Sequence, residues 1–443
     1  MDRFRISVVL CAILLWGCGE TPDESLEIEN IGATEAAIQG LGHGQIQKFF
    51  RGRDLFFNET FDGNDRTCET CHLRRNVFDN FDLTPQDAQA IFAADPTDPL
   101  FRAIDSDDGA GQDYSTLLNH GLTRVSLPLP PNVTVQEVNS PLVKVDPVTG
   151  VTYVTVLRSV PSIENSALEE NLSWDGRAGA DLEAQVEGAV NAHYEPGRQP
   201  TASEKDDLEF FQERFFTNLK LRLYANNFPP PELPQAPAGQ AWDSERRGRD
   251  FFVSQGPIDA NHRGLCATCH SGPMLDTTDD ANPVQPPGEK LSSNNIELDI
   301  GLPELTYNIT LTENVTLPPN NPLNNLPFPF PPLIPAGTVL TLKTTDPGRL
   351  LVTGNPCELQ ASCFINPFST VPLFKIPSLW GSADTAPYFH DNSASDLEDV
   401  MDRYEPFFNE TAVILQNPAF AISQQDRDDI IAYMNFAFKR KNP

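Results

Sequence analysis

The pentapeptide CETCH, Cys68–His72, returns almost unchanged as CATCH, Cys266–His270. The chain has 443 residues with only eight cysteines and seven histidines, so two thiols one turn apart, each time followed by an imidazole, answer no need of an ordinary core. Thiols at i and i+3 lie on one face of a helical turn, where both can add to the vinyl groups of one haem, and the next residue then lies under the iron. Three chemistries use such residues: haem attachment, a redox-active dithiol and zinc. A dithiol needs no histidine in that place twice. Zinc needs ligands from both copies brought together. Covalent haem c at each motif, with His72 and His270 as proximal ligands, uses every residue of both.

Working outward, the motifs sit in longer repeats. GRDLFF (Gly52–Phe57) shortly precedes the first motif and GRDFFV (Gly248–Val253) the second. Downstream, Ser159–Pro196 aligns with Lys375–Pro406, and the spacing from Pro161 to Trp174 equals that from Pro377 to His390. An internal duplication with one metal centre per copy is expected. The apolar spacing of DLEAQVEGAVNAHY, EKDDLEFFQERFFTNLKLRLY and DLEDVMDRYEPFF is helical, so the fold class expected is mainly α, with long irregular loops. The boundaries read are an N-terminal haem domain over 45–226, a proline-rich linker over 227–240, and a C-terminal haem domain over 241–443. The second domain carries a proline-rich insertion, 281–337, which cannot be long helix because proline removes a donor and clashes with the preceding turn. Short strand-like runs such as LTYNITL lie within it.

The first 17 residues, with arginines at 3 and 5 and a short apolar run, read as a signal peptide ending in Leu15-Trp16-Gly17-Cys18, the order of a bacterial lipobox. Cys11 leaves with the peptide, Cys18 carries lipid, and the acidic stretch to residue 44 serves as a tether. This places the protein in the periplasm, anchored through lipid to the outer membrane, and contacting the membrane only there. A formal net charge of −31, from 62 acidic and 31 basic residues, argues against nucleic acid, whose phosphates would be repelled. Cys357 and Cys363, which flank the five residues ELQAS in an exported chain, are expected to form a local disulfide.

Over most of residues 45–443 the chain resembles the bacterial di-haem cytochrome c peroxidase and MauG family. The words that carry the resemblance are GRDLFF…CETCH, VPSIENSALEENLSWDGRAGADLEAQV, GRDFFV…CATCHSGP, DPGRLLVTG and FKIPSLWGSADTAPYFHDNSASDLEDVMDRY. It implies two cytochrome c-like helical domains, with the haem of Cys68, Cys71 and His72 reacting with peroxide and that of Cys266, Cys269 and His270 passing electrons. It implies further that Trp174 lies between the haems, and that Gln185 and Glu195 form the polar pair over the peroxide-reactive iron. A carboxylate there can take a proton from one peroxide oxygen and return it to the departing one.

His390 matches a histidine near the second haem, and His120 falls near where peroxidases place a histidine that blocks the first iron. Tyr404 stands where the peroxidases carry a methionine ligand and MauG-type proteins a tyrosine; Met401, one turn earlier, is the alternative ligand. An interface calcium is a further implication, with Thr385 and Pro387 retained and Ser159 in place of the usual asparagine. The activity implied is reduction of hydrogen peroxide to water by a small donor protein such as a cytochrome c or cupredoxin. A MauG-like oxidase acting on a protein or organic substrate is a second reading, and a non-catalytic di-haem electron carrier is a third.

Overall fold

The computed structural model describes residues 40–73, 81–254, 256–282, 287–292, 300–316, 333–355 and 372–440. Cys18, the leader and most of the tether lie outside them, as do Cys357 and Cys363.

The helices are α1 (His43–Asn58), α2 (Pro85–Ala94), α3 (Ser115–His120), α4 (Leu182–His193), α5 (Ala202–Gln212), α6 (Leu219–Ala225), α7 (Asp243–Phe251), α8 (Leu350–Thr353), α9 (Leu397–Ile414) and α10 (Gln424–Ala437). Their starts are written locally. Thr201 and Glu204 bond reciprocally at the head of α5, and Ser423 and Asp426 do the same for α10, each pair satisfying two backbone donors that the first turn leaves open. The helical stretch expected across 204–224 is broken between α5 and α6. There Thr217 donates its N–H to the Asn165 side chain (3.0 Å), a bond a continuous helix would not allow.

Two helix crossings organise the chain. Helix α1 packs Phe49, Gly52 and Phe56 inward against α5, and α7 packs Gly248 and Phe251 inward against α10. A Cβ on Gly52 would sit 2.0 Å from the Asp207 carbonyl oxygen, and one on Gly248 would sit 1.9 Å from that of Asp429. Backbones approach this closely only where glycine lets them. The residue before each glycine then clamps the crossing: Arg51 forks both oxygens of Asp207 (2.7 and 2.7 Å), and Arg247 forks both of Asp429 (2.6 and 2.7 Å). Each crossing has its own apolar core. Phe56, Phe81, Val190 and Phe211 belong to the first, and Phe251, Leu265, Met401 and Tyr433 to the second.

The strands are β1 (Leu122–Pro128), β2 (Val133–Val135), β3 (Val143–Val145), β4 (Thr152–Ser159), β5 (Leu291–Ser292), β6 (Leu305–Thr310), β7 (Val315–Thr316), β8 (Leu333–Ile334), β9 (Val339–Thr344) and β10 (Phe374–Lys375). One three-stranded sheet runs β1-β4-β3 and another β2-β6-β9. Val125, Val154, Val156, Leu305, Tyr307 and Ile309 are buried in a third core. The strand-like run in the proline-rich insertion is thus real, and it lies between β9 and a strand from the N-terminal half: Val133 pairs with Ile309 and Val135 with Tyr307. A buried ion triad joins the halves as well. Arg158 donates through Nε and Nη2 to Asp346 (2.6 and 2.9 Å) and through Nη1 to Asp175 (2.6 Å). Burial alone would raise the Asp346 pKa, but the Arg158 guanidinium overrides it and holds the carboxyl below its usual range.

Candidate functional site

Cys68–Thr70 form a single tight turn, pinned at its start by the Thr67 N–H donating to Thr70 Oγ1 (2.9 Å), and the His72 N–H closes on the Cys68 carbonyl (2.9 Å). The His72 Nδ1 lies 2.9 Å from the Phe81 carbonyl oxygen. A carbonyl can only accept, so Nδ1 carries the hydrogen and Nε2 keeps its lone pair, the arrangement found in metal-binding imidazoles. The second motif repeats this. Cys266–Thr268 form the turn, the His270 N–H reaches the Cys266 carbonyl (2.9 Å), and His270 Nδ1 lies 2.8 Å from the Leu275 carbonyl.

The four cysteines are unbridged. Burial pushes the Cys68 thiol up to about 11 and Cys71 to about 12, and it raises Cys266 further. Neutral thiols suit addition to a vinyl group, whereas zinc is bound by thiolates. Among the described residues, the one place where three His, Cys, Asp or Glu ligand atoms converge within 4.8 Å is Glu183, Asp206 and Glu209, away from both motifs. The motif residues therefore fit haem and do not form a zinc site.

Cys266, Cys269 and His270 line a cavity of about 280 Å³ whose wall includes the apolar Leu397, Val400, Phe408, Ile430 and Met434. Helix α9 presents both Met401 and Tyr404 to this cavity. Burial raises the Tyr404 phenol well above its ordinary range, so it stays neutral unless a cation stabilises the anion. Its ring stacks on Phe408 with centroids 5.8 Å apart.

The cavity extends to Trp174. Trp174 Nε1 donates to the Ser159 carbonyl (3.0 Å), and the Trp174 carbonyl accepts from the Lys375 N–H (2.8 Å), so strands from both halves hold it. Its ring meets the buried His390 edge-on at 6.5 Å, and His390 stacks on Phe374 at 4.0 Å. Trp174 and His390, which stand at equal spacings in the two sequence repeats, therefore meet in space. Ser159, Thr385 and Pro387 line the same cavity, with the Ser159 N–H donating to the His390 carbonyl (2.7 Å).

The remaining candidates gather less tightly. Gln185 is half-buried on α4. Glu195, just beyond that helix, is exposed, takes a left-handed backbone with φ of 48°, and accepts from Asn64 Nδ2 (3.3 Å). His120 ends α3, where its carbonyl accepts from Asn392 Nδ2 (2.9 Å). Sequence reasoning passed over two neighbours of Glu195. The Tyr194 hydroxyl donates to Cys68 Sγ (3.3 Å), and His193 closes α4 with its Nδ1 enclosed.

Two oriented imidazoles, each beside a pair of thiols, fit the attachment of two haems. Residues 47–215, which hold the first motif, match the model of the di-haem cytochrome c peroxidase family, the family that the sequence words resemble. Among solved structures the chain is similar to a MauG-like protein associated with microbial copper homeostasis, at 16% identity and a TM-score of 0.43 over 88% of this chain and 89% of that one. It is also similar to the diheme peroxidase BthA from Burkholderia thailandensis E264, at 13% identity and a TM-score of 0.35 over 89% of this chain and 86% of that one. No curated protein matches the chain.

Proposed function

We propose that this protein is an exported di-haem c-type cytochrome that reduces hydrogen peroxide to water with electrons passed from its second haem. The observation that carries the reading is the pair of anchored imidazoles, His72 and His270, with Trp174, in the wall of the cavity at His270, meeting His390 edge-on. The twofold helix crossing, with its glycine and its Arg–Asp clamp, supports an internal duplication behind the pair.

Cys68 and Cys71 would hold one haem and Cys266 and Cys269 the other. Bound haem supplies an iron that changes oxidation state. The chain does the rest. Phe81 and Leu275 fix the two imidazole tautomers, so each Nε2 keeps its lone pair for a metal. Trp174, held at both its indole nitrogen and its carbonyl, keeps an aromatic ring between the halves. Gln185 orients the incoming peroxide, and the polar end of α4 at Glu195 handles its proton. Tyr404, which lines the cavity beside His270, would be the residue to hold the second haem from its other side. An anionic ligand at that position favours the MauG-like alternative, an oxidase of a protein or organic substrate, because phenolate stabilises higher oxidation states than a thioether does.

Residues 1–18 support export and lipid anchoring on the periplasmic side. The acidic surface suits a small electropositive donor protein such as a cytochrome c or cupredoxin.

The test is stopped-flow mixing of half-reduced protein with peroxide in the presence of a reduced donor. Two donor electrons consumed per peroxide, from a protein whose oxidised spectrum contains a high-spin haem, is the expected result. Two wholly low-spin haems that do not react with peroxide would leave only the electron-carrier reading.

A further inference from the structure

The crossing of α7 and α10 gathers a row of aromatic rings that the reading above does not use. The row begins at Trp380, which lines the cavity with Cys266, Cys269 and His270 and donates its Nε1 hydrogen to the Pro273 carbonyl (2.8 Å), just beyond that imidazole. The Trp380 ring meets Phe438 edge-on at 5.7 Å, and Phe438 meets Tyr433 at 5.7 Å. Tyr433 lies 6.3 Å from Phe436, and Phe436 meets Trp242 at 5.5 Å. Tyr433 and Phe438 are fully buried, whereas Trp242 is half-buried and within reach of solvent. An unbroken run of ring contacts thus leads from the cavity wall to the surface, each step within the span of direct aromatic packing.

Packing accounts for the rings but not for which rings stand at the two ends. The chain has four tryptophans, and Trp16 lies in the leader. Of the others, Trp174 and Trp380 line the cavity, and Trp242 ends the row. An indole gives up an electron more readily than a benzene ring, so both ends can be oxidised. Tyr433 between them is no stopping place. Its hydroxyl donates to the Pro234 carbonyl (3.0 Å), which takes up no proton, and a phenol loses an electron readily only as its proton leaves. Trp380 also faces a carbonyl, so once oxidised it keeps its proton and stays a strong oxidant of the next indole. At Trp242 the proton can pass to water.

We propose that Trp242 is where the protein itself is oxidised when hydrogen peroxide arrives without a donor, its electrons passing inward through the ring row and Trp380 to the second haem cavity. The Trp242 indole and one water together lose two electrons and two protons, and a C–H bond of the ring becomes C–OH. Those electrons and protons reduce one hydrogen peroxide to two waters as its O–O bond breaks. Peroxide is the oxidant and indole the reductant, so the step balances. The row moves oxidising power away from the haem pocket to a surface residue. The inference rests on the reading that Cys266, Cys269 and His270 hold a haem in electronic contact with the peroxide-reactive one.

The experiment uses half-reduced mature protein, with haem content measured first. It is treated with excess hydrogen peroxide, without oxygen or donor, in water enriched in heavy oxygen, and its peptides are mapped by mass spectrometry. Wild type is expected to carry the solvent's heavy oxygen on Trp242, and Trp380→Phe to lose that label while keeping its haem. Trp242→Phe should keep donor-dependent turnover yet bleach its haem sooner when peroxide comes without donor. If Trp380→Phe loses haem, Phe436→Leu, which removes the ring in contact with Trp242, gives the same comparison.

An unlabelled Trp242 would overturn the assignment. So would a Trp242 that carries the peroxide's own oxygen equally in wild type and variant, since that marks direct attack from solution. A solvent label that persists in both Trp380→Phe and Phe436→Leu would overturn the route. A haem spectrum that does not respond to peroxide would sink the peroxidase reading and this inference together, whereas a response with no label sinks only the role of Trp242.

Discussion

Replacing Tyr404 with methionine is expected to raise the potential of the haem that Cys266, Cys269 and His270 would hold by on the order of 0.1 V or more, since axial ligands move haem potentials over roughly 0.8 V. The direction follows from charge. The buried phenol gives up its proton only to a strong cation, and as phenolate it stabilises the oxidised iron, whereas a thioether stays neutral. A spectroelectrochemical titration reads the shift directly. The same variant should gain donor-dependent peroxide turnover if the natural tyrosine biases the chain toward oxidase chemistry. An unmoved potential, together with a shift in Met401→Leu, would give the ligand role to the other residue that α9 turns into the cavity.

The second large effect concerns the two crossings. Alanine at Gly52 or Gly248 should destabilise the protein by on the order of 3 kcal/mol or more in a denaturant titration, at the upper end of overpacking costs. Local propensity argues the other way, because alanine favours a helix over glycine by about 1 kcal/mol. The crossing decides the sign. The new methyl would overlap backbone, the Asp207 carbonyl in one case and the Asp429 carbonyl in the other, and backbone cannot swing aside as a flexible side chain would. Separating the helices would also pull Arg51 from Asp207 or Arg247 from Asp429. If either variant proved as stable as the parent, the close approach drawn here would be wrong.

What could be read in advance follows from the range of the forces involved. The two motif turns were legible because thiols and imidazole stand there at fixed short spacings. Helices such as α4 and α9 were legible because apolar periodicity and end signals are local. Gly52 and Gly248 stood in the repeated words, but their reason lies about 155 and 181 residues downstream, at Asp207 and Asp429, and no local signal shows it. The same holds for β2, a three-residue strand whose partner is β6. Its residues read as loop until the pairing is seen. Trp174 and His390 could be aligned by spacing, but their contact needed the fold. The enclosed ring nitrogen of His193 shows only in the fold, because enclosure is a tertiary property.

The most direct test is to weigh the mature chain and count its porphyrin, using intact-mass spectrometry beside a pyridine haemochrome assay on protein from a cell that matures c-type cytochromes. Two haems bound through four thioethers per chain is the expected result, and Cys68→Ala with Cys71→Ala should leave one. A chain carrying zinc, or no haem on either motif, would contradict the account at its root.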